Sequence, residues 1–157
     1  MGQSRAYAEA LRTLVEAQTF SKDFVIGDMY DFDLAGGEVG SLDENTVYVA
    51  PITRNSVRSM RRPSATKDAW IDEVQLSVYV AGPCQQNTTQ EVNGNEEVGS
   101  WIDFVEEIAD YCRNEPLTIG SDVKRPIELT QDTLYDLERL RSERQFRSMF
   151  TLTYRGV

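Results

Sequence analysis

The sequence predicts an α+β domain in which a mainly antiparallel or mixed sheet carries two amphipathic helices on one face. Three observations predict it. Val74, Leu76, Val78 and Val80 alternate with Glu73, Gln75, Ser77 and Tyr79, the pattern of a half-buried strand. Trp101, Phe104, Val105, Ile108 and Cys112 form an apolar stripe at helical spacing. The strand signals are joined by turns and loops rather than by helices, which favours antiparallel pairing. With 157 residues and no internal repeat or composition shift, residues 1–157 read as one domain.

The elements follow in chain order. Residues 4–18 read as a helix with Ser4 at its N-cap and Tyr7, Leu11, Leu14 and Val15 on its apolar side. Residues 23–44 are acidic and glycine-rich, with seven carboxylates. Phe24-Val25-Ile26 and Met29 to Leu34 are short strand candidates within them, and Gly36-Gly37 marks a turn. Val47 to Ile52 is a strand, and Pro51 belongs near its end or on an edge because it has no amide proton.

The basic run 54–67 (Arg54, Arg58, Arg61, Arg62 and Lys67, with no acid) then lies in a connection of about 17 residues between Ile52 and a strand beginning near Trp70, which reads as a loop. The long strand beginning near Trp70 ends at Gly82-Pro83. Residues 83–97 read as a polar loop or a small hairpin tip around Asn93-Gly94, and Ser100 as the N-cap of the second helix. Leu117 to Ile119 and Pro126 to Leu129 are short extended pieces. Leu134 to Arg144 is a charged helical turn, and Phe146 to Tyr154 is the final strand.

Composition excludes several functions. The chain has no histidine, so Ser-His-Asp and Cys-His nucleophile systems are ruled out, as is the commonest neutral metal ligand. Cys84 and Cys112 stand 28 positions apart with no histidine, which does not make a zinc site. They read as reduced thiols. No phosphate-cradling glycine motif is present. Asp28, Asp31 and Asp33 superficially suggest a calcium loop, but Asp33 occupies the place an EF-hand gives to glycine. Glu106 and Glu107 fall opposite the helix's apolar stripe and read as a solvated face. No enzymatic activity, metal or cofactor is expected. No apolar run reaches the roughly 20 residues of a membrane-spanning helix, and the first residues lack the pattern of a secretory signal.

The charge balance is acidic, with a formal net charge of −10. Its 16 basic residues are 13 Arg and 3 Lys, a bias suited to fixed pairing with carboxylates. A broad nucleic-acid surface is disfavoured, because phosphate binding depends on accumulated basic charge. The basic run and the acidic Asp28, Asp31 and Asp33 are instead candidate protein-interface patches of opposite sign.

Four stretches together, VYVAPITRNSVRS, the W-x-D-E-V-x-L-x-V-Y-V strand, W-I-D-F-V-E-E-I and F-R-S-M-F-T-L-T-Y-R, resemble tail terminator proteins of tailed bacteriophages. These are also known as tail completion or head–tail joining proteins. The resemblance covers roughly residues 4–18, 45–81 and 98–157 and rests on fold patterns, not on a catalytic signature. It implies a virion protein, assembled in the host cytoplasm, that forms a homohexameric ring on the tail tube. The ring would end tube polymerisation and meet the head-side connector, while genomic DNA passes through the lumen without specific binding. Two alternatives remain: another neck protein, such as a head-completion or connector adaptor, and a nucleic-acid-binding module using the 54–67 run.

Overall fold

A computed structural model describes residues 2–27, 44–59, 69–84, 91–131 and 133–156. Three helices and two sheets make up the described chain. The helices are α1 (Gln3–Glu16), α2 (Glu91–Asn114) and α3 (Leu137–Glu143). The strands are β1 (Val25–Ile26), β2 (Thr46–Ser59), β3 (Ala69–Pro83), β4 (Leu117–Ile119), β5 (Asp122–Lys124), β6 (Pro126–Thr130) and β7 (Gln145–Gly156). The main sheet runs β1-β2-β3-β7-β6, and β4 and β5 form a separate hairpin. Every pairing is antiparallel except β1 with β2, so the fold is α+β with a mixed sheet.

Alternation on β3 decides which face is core. Val74, Leu76, Val78 and Val80 are fully buried, and across the ladder they meet Tyr154, Leu152, Phe150 and Ser148 of β7. On the other side Val80 and Val78 meet Val47 and Val49 of β2. Both long helices cover this face. Tyr7 of α1 packs edge-on against Tyr154, with ring centroids 5.9 Å apart. Trp101 of α2 stacks on Phe146 at 5.1 Å. The five stripe residues of α2 are all buried, as the spacing predicts. An aromatic cluster closes one end, where Phe20 lies against Phe24, Phe104 and Tyr111. Burial on this scale, at about 25 cal/mol per Å² of apolar surface, is the main stabilising term.

Gly82 shows how closely α2 approaches the sheet. A Cβ there would sit 2.4 Å from the tip of the Trp101 indole. Lys22 lies over the same indole, 5.0 Å from its centroid.

The structure corrects four expectations. The expected loop is shortened from both ends: β2 continues to Ser59 and β3 starts at Ala69, with Ser59 paired to Ala69, and residues 60–68 lie outside the described residues. A ladder needs only backbone groups, so it runs on after the apolar alternation has faded. Pro51 lies inside the strand, next to an irregularity at Ile52; β1 pairs only with Thr46 and Val47, so among the described residues Pro51 has no strand partner on that side. The amide of Gly27 reaches the Val47 carbonyl on that outer side, so the backbone N–H and C=O positions of odd-numbered residues from Val47 to Pro51 point away from β3. The amide proton missing from Pro51 therefore costs no ladder bond.

Second, residues 91–97 belong to α2, not to a loop. Ser100 is not its N-cap; its hydroxyl donates to the Glu97 carbonyl one turn back, at 2.7 Å. In the sequence the apolar period begins only near Val98, so residues 91–97 carry no helical stripe to read. Third, Ser4 lies inside α1, whose N-cap position is Gly2, with no side-chain cap. Fourth, β5 was not expected, because a three-residue strand with an exposed Val123 leaves no pattern. The strand candidate Met29 to Leu34, the turn at Gly36-Gly37 and residues 85–90 of the expected polar loop lie outside the described residues.

One core group yields a stability test. Tyr154 is fully buried, and its hydroxyl has no hydrogen-bond partner among the described residues. Burial drives its pKa well above the ordinary phenol range. An unsatisfied buried hydroxyl costs about 1–3 kcal/mol. Tyr154→Phe keeps the edge-on contact with Tyr7, and urea unfolding is expected to show equal or higher stability, by up to about 1 kcal/mol. A loss above about 1 kcal/mol would show that the hydroxyl is bonded.

Candidate interaction surface

The interface residues expected from sequence divide into two groups. Arg54 and Arg58 lie on β2. Arg61, Arg62 and Lys67, and the acidic Asp28, Asp31 and Asp33, lie outside the described residues. The two expected patches are therefore not brought together by the described part of the fold.

What positions the basic run is the narrowing of the sheet. At the level of Val74 the sheet contains β2, β3, β7 and β6. The β3–β7 pairing ends at Asp72 with Gly156. Beyond it, among the described residues, β2 and β3 alone remain, through the rungs Val57 with Ile71, Arg58 with Trp70 and Ser59 with Ala69. This two-stranded ribbon leads directly into residues 60–68, where the rest of the positive charge lies.

A polar clasp fastens the base of the ribbon. Arg54 reaches the Asp72 carboxylate at 3.1 Å, and the Ser56 hydroxyl donates to the same group. Thr53 donates to Gln75 at 2.6 Å, and Arg155 meets Glu73 at 3.5 Å. Arg54 thus has a carboxylate partner within its own chain. The pair is solvent-exposed, with the Arg54 side chain 53% accessible, so it orients the guanidinium and adds little stability.

The Ser56 hydroxyl and Arg54 together hold the Asp72 carboxyl below the usual carboxylate range. Because its folded pKa is depressed, the clasp is intact above the ordinary Asp range and opens as pH falls through the lower, folded value. An NMR titration of the Asp72 side chain is expected to give a midpoint below 3.8, moving upward in Ser56→Ala. A midpoint unmoved by that change would show that the hydroxyl does not hold the carboxylate.

The other chemistry considered from sequence stays apart. Cys84 and Cys112 are buried free thiols, and burial raises their pKa values to about 11 and about 12. Such thiols are poor nucleophiles. Glu106 and Glu107 are exposed on α2, and Glu107 accepts a hydrogen bond from Ser21. Among the described residues no group of acidic or cysteine side chains is arranged to hold a metal, and no helix is long and apolar enough to cross a membrane.

Sequence reading missed a second polar assembly, where α3 meets β7. Asp136 caps α3 by accepting from the Arg139 amide at 3.2 Å, and its own amide donates to the Arg147 carbonyl at 3.0 Å. Arg144 ends the helix in the left-handed conformation (φ 53°), and its carbonyl accepts from the Cys84 amide at 2.9 Å. Leu140 anchors the helix in the core, whereas Leu134 and Leu137 stay about half exposed. The available signal was the Asp136 cap ahead of a short helical run. The approach of Arg139 to Arg147 depends on tertiary packing alone.

No protein-family model matches the chain, and no curated protein matches it.

Proposed function

We propose that this protein is a structural subunit of a phage tail, of the tail terminator type, which assembles with copies of itself into a ring on the tail tube. The observation that carries this reading is the β2–β3 ribbon. A two-stranded ribbon is marginal in water on its own. In this one the rungs Val57 with Ile71 and Arg58 with Trp70 lie beyond the last β3–β7 pair, so among the described residues no third strand supports it. A ring needs two different complementary patches on each subunit, because its contacts are head-to-tail. In an acidic, arginine-rich chain, one such patch can present arginine and the other carboxylate.

The net charge of −10 also suits a channel for DNA, since like charge keeps phosphate from adhering to the wall. Analytical ultracentrifugation with negative-stain imaging, with and without isolated tail tubes, tests the proposal. The expected result is a ring of about six copies around a central hole, on the tube if not free. A protein that stays monomeric and leaves tube ends bare would overturn it.

A further inference from the structure

An open apolar groove runs between α1 and the start of β4. Ala10, Leu14 and Ala17 line it from the helix, and Pro116 and Leu117 line it from the other side. Its volume is about 440 Å³. A small-molecule site of that size converges several placed polar groups on its ligand. Here Glu9 is the one charged residue among the described lining, and no aromatic ring is present. The Thr13 hydroxyl donates to the Glu9 carbonyl at 2.9 Å, so it is satisfied within α1. Aliphatic side chains suit this groove better than a polar ligand. Thr118 at its rim stands opposite Val123 in the β4–β5 hairpin, and cross-strand neighbours share a face. Val123, 62% exposed, is the most exposed large apolar residue of the described chain. It extends the apolar surface beyond the groove.

A surface of the complementary kind lies at α3. Leu134 and Leu137 are 48% and 44% exposed, although Leu140 of the same helix is buried. Arg141, also exposed, stands one turn on from Leu137 and on the same side of the helix. This edge is held firmly, because the Asp136 amide donates to the Arg147 carbonyl at 3.0 Å and the Arg144 carbonyl accepts from the Cys84 amide at 2.9 Å. A preorganised surface loses little freedom on docking.

The two surfaces lie apart in one subunit. α3 runs directly into Gln145, the first residue of β7. Lys124, which pairs with Leu117 of the groove, stands close in the chain to Pro126, which pairs with Tyr154 near the far end of β7. From Gln145 to Tyr154 the strand spans about 30 Å, at roughly 3.3 Å per residue. The leucines of one subunit therefore do not reach its own groove.

We propose that the α1–β4 groove receives the Leu134–Leu137 edge of a second copy of this chain. Both surfaces are apolar, and the one charge lining the groove, Glu9, is opposite in sign to Arg141 beside the leucines. Because the two surfaces are different and lie apart, the contact is head-to-tail, the kind that closes into a ring. The inference rests on the ring reading above and names faces that meet in it.

The test is sedimentation velocity of the full chain over a concentration series, free and with isolated tail tubes. The double variant Leu134→Ser, Leu137→Ser removes the apolar edge, and Ala17→Lys places a charge in the groove from the exposed end of α1. Each is expected to keep the wild-type urea midpoint and to weaken self-association about tenfold or more, the loss expected when apolar side chains forfeit a buried contact. Mixing the two variants should give dimers that do not grow, since one intact edge meets one intact groove. Normal rings from either variant, or a mixture that pairs no better than its parts, overturn the contact and leave the ring reading standing. Association that the variants abolish but that never closes into a ring keeps the contact and overturns the ring. A readout without variants covers a shifted urea midpoint: the Leu14 and Leu137 methyl resonances of the wild-type protein should move together as copies associate. Methyls that stay fixed during association overturn the contact. A wild-type protein that is monomeric throughout, even on tubes, overturns both.

Discussion

Trp101→Ala is expected to lower the unfolding free energy by about 3–5 kcal/mol, the range for removing a large aromatic group from a packed core. Trp101 is 1% exposed, stacks on Phe146, meets Phe104 at 5.8 Å and carries Lys22 over its ring. It closes the gap between α2 and the end of β3, so its loss opens a cavity that two rigid elements cannot collapse to fill. The companion change is Gly82→Ala. Its Cβ would lie 2.4 Å from the indole tip, and the indole, held by its stack on Phe146, has no slack. Overpacking of this kind costs about 1–3 kcal/mol.

The pair forms a test stronger than either change alone. In the Trp101→Ala background Gly82→Ala meets no ring, and its cost should fall to nearly nothing. Urea unfolding of both single variants and the double variant measures that coupling. Simple additivity would show that the indole does not dictate glycine at position 82.

Replacing Arg58, Arg61 and Arg62 together with Glu is expected to leave the monomer folded and abolish assembly. The expectation joins the position of Arg58 on the ribbon with the sequence charge of the other two, which lie outside the described residues. Three charge reversals turn attraction into repulsion at each contact. Truncating one side of a buried charged pair alone costs about 2–5 kcal/mol. The proposed ring would repeat the contact at every subunit, so the losses would add. Circular dichroism should be unchanged while the sedimenting species becomes a monomer and tube ends stay bare. Normal rings from this variant would remove the ribbon from the interface. A variant that loses DNA retention but still assembles would point instead to the nucleic-acid alternative.

Much of the fold was legible in the order of residues. The β3 alternation named its core face residue by residue, because a half-buried strand must alternate. The α2 stripe was legible because five apolar side chains at helical spacing have only one way to share a core. The helical turn expected over 134–144, which forms over Leu137–Glu143, and the last strand followed from the same two periods. The ribbon was not legible as strand, because beyond Ile52 the pairing is held by backbone bonds and the Arg54–Ser56–Asp72 clasp, which have no hydrophobic period. The start of α2 was hidden for a related reason, since residues 91–97 carry a single apolar residue, Val92, which makes no stripe.

The sequence by itself determined the class of fold, the core faces of β3 and α2 and the absence of histidine chemistry. These are properties of single segments, and local periodicity and composition decide them. Only the tertiary structure decided that the sheet narrows to two strands before the basic run and that Arg54 closes on Asp72. It alone decided that Arg139 and Arg147 line one recess. Each of these joins residues far apart in the chain or on different elements, and such meetings depend on register and packing, which no local pattern encodes.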